Sequence, residues 1–232
     1  MRRLLMLACA MAVLWTVGCA TESTLRPAPE ATIVEGTPKA AVASADGVRM
    51  EARVDAWRWT PADLAHQLTP LLVRLENESD RPLRVRFEEF ELVTPSGMSY
   101  AALPPFDIEG EVTERVGSYA YAAPGFYVAP HLRHHYVGFG VFGGPFGHYP
   151  YYYASYYPIY ARYDLPSRDM LARALPEGVL EAGGRITGFL YFADLDAIDP
   201  HPESIRLRYV LVDAEAHERF GVIEIPFDVV DD

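Results

Sequence analysis

No cysteine occurs beyond residue 19, and the chain's only two are Cys9 and Cys19. The body of the protein therefore has no disulfide framework, no thiol nucleophile and no thiolate metal ligand. Motifs that would announce catalysis are also missing. There is no G-x-S-x-G elbow, no S-x-x-K, no H-E-x-x-H and no G-x-x-x-x-G-K-[ST] phosphate loop. The glycine run GFGVFGG, from Gly138 to Gly144, has neither the lysine nor the strand-to-helix setting that nucleotide binding requires. Basic residues are scarce: 20 Lys+Arg stand against 32 Asp+Glu. A chain this acidic repels nucleic acid and anionic headgroups, so no nucleic-acid partner is expected. With no cofactor motif and no nucleophile–base pair, the sequence calls for no cofactor and no enzymatic activity.

What is present begins at the N-terminus. Arg2 and Arg3 precede an uncharged apolar run from Leu4 to Val17, shorter than the roughly 20 residues of a membrane-spanning helix. Positive residues, a short apolar run and a small-residue end describe a secretory signal, residues 1–18. The end, Thr16-Val17-Gly18-Cys19, resembles a bacterial lipobox, although Thr16 stands where a leucine-like residue is usual. That resemblance implies acylation of Cys19 and a membrane partner reached through an N-terminal lipid anchor. Multiple acyl chains hold stably where one holds marginally. Ala20, where an aspartate would favour the inner membrane, points by the same analogy to the outer membrane. Loss of Arg2 and Arg3 with the signal takes the formal net charge from −12 to −14.

Residues 19–45 are rich in Thr, Ser, Pro, Ala and Glu and read as a lipidated cysteine followed by a flexible tether. From residue 46 to 232 the pattern is that of strands. Val48, Met50, Ala52, Val54 and Ala56 alternate with polar residues, which is a half-buried strand. TPAD predicts a short helical turn capped by Thr60. Leu71, Val73 and Leu75 share one face, as do Leu83, Val85 and Phe87, with turns at ENESD and TPSG. The interrupted alternation from Phe87 to Phe90 predicts a bulge or a change of sheet. Ser167 is the expected cap of a short helix ended by Pro176 and Gly178. LEAGGRITGFLYF predicts a turn and a central strand, apolar on both faces. Ile205, Leu207, Tyr209 and Leu211 point inward on the next strand. Ile223, Ile225, Phe227 and Val229 do so on the last, where Pro226 predicts an edge or a bulge.

About seven strands and one or two short helices make an all-β antiparallel sandwich the economical fold. The segment VRLENESDRPLRVRFEEFELVTPSGMSYAAL, with GVLEAGGRITGFLYF and SIRLRYVLVD, resembles the two halves of immunoglobulin-like domains in small bacterial envelope lipoproteins. The shared pattern is a strand ending in an Asn-Ser turn, a Phe-x-Leu strand with a Gly hairpin, and a Gly-preceded strand ending in a large apolar residue. The resemblance covers roughly residues 46–105 and 177–230. It implies an immunoglobulin-like sandwich of unknown activity and carries over no site residues. The departure is a long Tyr/Gly/Pro-rich insert at about residues 107–166.

That insert holds the candidate sites. HYPYYYASYYPIYARY, His148 to Tyr163, is half tyrosine, and His134 to Ala161 contains no Asp, Glu, Lys or Arg. Three prolines and five glycines rule out a continuous spanning helix there. Three readings remain open. One is a flexible loop. Another is a contact surface for an envelope protein, a glycan or the lipid interface, built on Tyr149, Tyr151, Tyr152, Tyr153, Tyr156, Tyr157 and Tyr160, since tyrosine suits wet interfaces. The third is a zinc or copper loop built on His131, His134, His135 and His148. Elsewhere Asp194, Asp196 and Asp199 depart from a calcium-loop pattern in lacking its glycine and final glutamate, and read as a solvated loop. Glu88, Glu89 and Glu91 read as a solvated strand face. Trp57 and Trp59 read as packing residues on one strand face, and Asn77 opens a glycosylation-type sequon.

Overall fold

Alternation of apolar and polar residues builds two antiparallel sheets. A computed structural model describes residues 23–123, 126–128, 155–198 and 201–231; of these, 116–123, 126–128 and 155–159 are described by backbone alone. The strands are β1 (Ser23–Pro27), β2 (Thr32–Val34), β3 (Thr37–Ala45), β4 (Val48–Arg53), β5 (Leu68–Asn77), β6 (Leu83–Val85), β7 (Phe90–Val93), β8 (Ser99–Ala101), β9 (Gly110–Ala123), β10 (Phe126–Val128), β11 (Ser155–Leu165), β12 (Gly178–Leu180), β13 (Arg185–Ala193), β14 (Ser204–Asp213) and β15 (Arg219–Asp231). One helix, α1 (Arg168–Arg173), is capped by Ser167, whose side chain accepts from the Met170 amide.

A seven-stranded sheet runs β1-β15-β14-β6-β12, with β7 also paired to β14 and β8 to β7; a five-stranded sheet runs β13-β5-β4-β3-β2. Their inner faces form the main core. Val48, Met50, Ala52, Leu71, Val73, Leu75, Leu190 and Phe192 come from the five-stranded sheet. Leu83, Phe90, Leu92, Leu207, Tyr209, Leu211, Ile223, Ile225 and Phe227 come from the seven-stranded one. At its centre Phe90 stacks on Tyr209 at 4.1 Å between ring centroids, and the Tyr209 hydroxyl donates to the Arg84 carbonyl at 2.9 Å. The phenol thus keeps a hydrogen bond while its ring is buried. The fold is an all-β antiparallel sandwich.

Several expectations are corrected. The tether does not extend to residue 45: β1, β2 and β3 occupy most of that span, and Leu25, Ala28, Ala31, Ala40 and Ala41 are buried. Alanine gives little hydrophobic contrast, yet a small side chain suits a strand pressed closely on its neighbour. The expected central strand, β13, ends the five-stranded sheet. It is apolar on both faces because a second core covers its outer one. Conversely, the expected edge strand β15 lies between β1 and β14. Pro226 is tolerated because its carbonyl faces Ala28, just past the last β1 pair. Its missing amide faces the same way and interrupts no β1 pairing. Between Phe87 and Glu89 the chain makes a 3-10 turn, and β6 and β7 then both pair with β14, so neither a bulge nor a new sheet is needed. The turn at TPAD spans Ala62–His66 and follows Pro61, without a side-chain cap.

Gly188 allows a close approach of backbone to backbone. A Cβ there would meet the Leu175 Cα at 2.4 Å and the Leu175 nitrogen at 2.5 Å, where the Leu175 amide donates to the Phe189 carbonyl at 2.9 Å. These are backbone atoms and cannot swing aside. Gly188→Ala is expected to cost about 1–3 kcal/mol, read as a lower urea midpoint; an unchanged midpoint would refute the close packing.

Candidate functional site

The insert is regular at both ends. β9 and β11 pair antiparallel from Gly110↔Leu165 to Tyr121↔Ser155, and β10 pairs on the other edge of β9, giving a separate three-stranded sheet. Eleven paired positions at about 3.3 Å each make a ribbon roughly 35 Å long. The flexible-loop reading is therefore wrong for residues 110–123 and 155–165. Aromatic and β-branched residues favour extended pairing, and the register sets Tyr157 beside Tyr119 and Tyr127 beside Tyr121.

The ribbon's root is held by the second core. Val112, Leu165, Ile108, Leu64, Leu68 and Met170 pack with Trp57, Phe189 and Tyr191. The Trp57 indole donates to the Pro61 carbonyl at 2.7 Å and meets Phe189 edge-on at 5.1 Å. The tryptophans lie in the irregular segment after β4, and Arg173 stacks over Trp59 at 3.9 Å. Gln67 donates to the Glu111 carbonyl at 2.5 Å, and Glu114 accepts from the Ala62 amide at 2.6 Å. Burial pushes the Tyr191 hydroxyl, which donates to the Met170 carbonyl, well above its ordinary range. Partial burial and the neighbouring Glu114 carboxylate raise the Tyr163 hydroxyl above its ordinary value.

Of the tyrosine candidates, Tyr160 sits opposite Arg115 and is 59% exposed. Tyr156 and Tyr157 occupy β11 and pair with Ala120 and Tyr119. Tyr149, Tyr151, Tyr152, Tyr153, the histidines His131, His134, His135 and His148, Asp199 and Cys19 lie outside the described residues. Among the described residues no group of three or more His, Cys, Asp or Glu side chains is placed to hold a metal ion. Asp194 caps the 3-10 turn Leu195–Ala197 by accepting from the Asp196 amide.

A second feature went unseen in the sequence. On the outer face of the seven-stranded sheet a shallow trough of 990 Å³ is lined by Arg84, Glu88, Glu89, Glu91, Arg208 and Glu224, among others. Arg208 holds Glu91 at 2.5 Å and Arg84 holds Glu89 at 2.5 Å. Glu89 is buried, which corrects its reading as a solvated residue, and desolvation raises its pKa although Arg84 and the Arg86 amide oppose the rise. Outward Arg84, Arg206 and Arg208, set against glutamates on a facing strand, were the available signal. With Glu89, Glu91 and Glu224 held by arginines and no Ser, Cys or His in the lining, the trough offers no nucleophile–base pair.

Ser23, His201 and Asp231 also meet, but both the Ser23 hydroxyl at 3.3 Å and the Asp231 carboxylate at 3.8 Å face the same ring nitrogen, Nε2. A triad needs them on opposite nitrogens. The sequon residue Asn77 is fully buried, its amide donating to the Arg81 and Leu180 carbonyls. It ties a strand end and is not a glycan acceptor in the folded state.

No family model matches the chain, and no curated protein or solved structure is found similar to it.

Proposed function

We propose that the protein is a cell-envelope lipoprotein of the outer membrane, acylated at Cys19, whose sandwich is a non-enzymatic scaffold presenting the tyrosine-rich ribbon to another envelope component. The observation that carries this reading is the rooting of the ribbon. An isolated two-stranded hairpin is marginal in water, yet here a dedicated aromatic core clamps the base of β9 and β11. Firm support beneath a tyrosine-bearing strand pair suits recognition better than catalysis. The two-sheet sandwich is also compatible with the immunoglobulin-like resemblance of the sequence.

The test keeps the root and removes the ribbon. Residues 116–159 are replaced by Asn-Gly, a two-residue hairpin turn, joining the paired residues Arg115 and Tyr160. Chemical cross-linking of intact cells is expected to give an envelope adduct with the full chain and none with the shortened one, whose urea midpoint stays close to that of the parent. Survival of the same adduct in the shortened chain would remove the ribbon from the role. Cys19→Ser is expected to move the protein from the membrane to the soluble fraction.

A further inference from the structure

Where the chain enters the sandwich decides which end of it meets the membrane. β1 starts at Ser23, paired with Asp231 of β15, so only residues 20–22 separate it from Cys19. However those three residues are arranged, the four steps from Cys19 to Ser23 cover at most about 14 Å. An acyl-bearing cysteine sits at the hydrocarbon boundary, and the headgroup layer of one leaflet takes up about 5–7 Å of that reach.

The end concerned is well defined. The Ser23 amide donates to Asp196 at 3.5 Å, and its hydroxyl donates to Asp231 at 3.1 Å. β14 begins there, with Ser204 opposite Asp228, and the Val229 amide donates to the Glu203 carbonyl at 3.0 Å. The far end carries the turns joining β3 to β4, β5 to β6 and β14 to β15. The Ala214 amide donates to the Pro82 carbonyl at 2.9 Å, and Asn77 bonds Arg81. The ten residues of β14 separate the two ends by about 30 Å. Leu68 and Ala193 pair at the near end, and Gln67, which holds Glu111 of the ribbon, adjoins them.

We infer that the end of the sandwich bearing Ser23, Asp196, His201 and Asp231 is apposed to the lipid headgroups, with the far turns directed away and the ribbon rooted on the membrane side. This rests on the lipoprotein reading.

With no cysteine after residue 19, single labels are simple to place. Glu203→Cys marks the near end, and Asp80→Cys, at a side chain 97% exposed, marks the far turns. The acylated variants, purified from membranes and checked by peptide mass and vesicle flotation, carry a donor dye. They enter vesicles of phosphatidylethanolamine and phosphatidylglycerol containing an acceptor-labelled headgroup. Energy transfer is expected to be several-fold stronger from position 203 than from position 80. A long Gly/Ser spacer inserted after Ala20 is expected to abolish the difference. Equal transfer from both positions in acylated, floating protein would overturn the inference and leave the lipoprotein reading standing. Absence of the acyl group would overturn both.

Discussion

Trp57→Ala is expected to lower stability by about 3–5 kcal/mol, the usual cost of truncating a large buried aromatic residue. The indole is 6% exposed, meets Trp59, Phe189 and Tyr191 edge-on, and satisfies the Pro61 carbonyl. Its loss opens a cavity beneath Leu64 and Leu68, leaves a carbonyl unpaired, and loosens the packing around Val112 and Leu165. Against a typical total of about 5–15 kcal/mol this is a large fraction. A urea titration followed by far-ultraviolet dichroism measures it, and amide exchange at Val112 and Tyr163 should quicken more than at Leu207. A loss below about 1 kcal/mol, or uniform acceleration of exchange, would show that the second core does not anchor the ribbon.

Arg84→Met should produce the other large effect, and one that depends on pH. It strands the Glu89 carboxylate, which is 5% exposed; breaking one side of such a pair costs about 3–5 kcal/mol. Glu89 already has a native pKa raised above its ordinary 4.5, chiefly by desolvation, and Arg84 is what holds the rise in check. Between the unfolded and native values the folded protein binds more protons, so stability falls as pH rises through that window. Removing Arg84 raises the native value further and widens the window upward. The variant's deficit should therefore be greatest at pH 7–8 and shrink towards pH 5, and Glu89→Gln added to Arg84→Met should recover much of it. A deficit constant from pH 5 to 8 would disprove the account.

Alternation made β4, β5 and β14 legible because large apolar residues there contrast with arginines and glutamates. The Ser167 cap was equally plain, since its signature is local. β1 and β3 escaped because alanine, threonine and proline carry little hydrophobic contrast, and β1 in addition pairs with residues far along the chain. The position of β13 was hidden for a different reason. A strand apolar on both faces says that both are covered, without saying whether sheet or loop does the covering. Glu89 could not be told from Glu88 by composition: the 3-10 turn at Phe87–Glu89 buries one and exposes the other. As for the ribbon, the sequence marked where the unusual residues lie, but the bond register that pairs β9 with β11 became visible only in three dimensions.

The pairing of β1 with β15 also orders events in time. Ser23 bonds in register with Asp231 and Pro27 with Phe227, so the pairing of the earliest described strand with β15 waits until about 200 further residues have followed it. β15 is the link between β1 and the rest of its sheet. Closing so long a loop carries an entropic cost and slows folding. On the proposed envelope reading, such a delay would leave the first strand unpaired with β15 while the chain crosses the membrane.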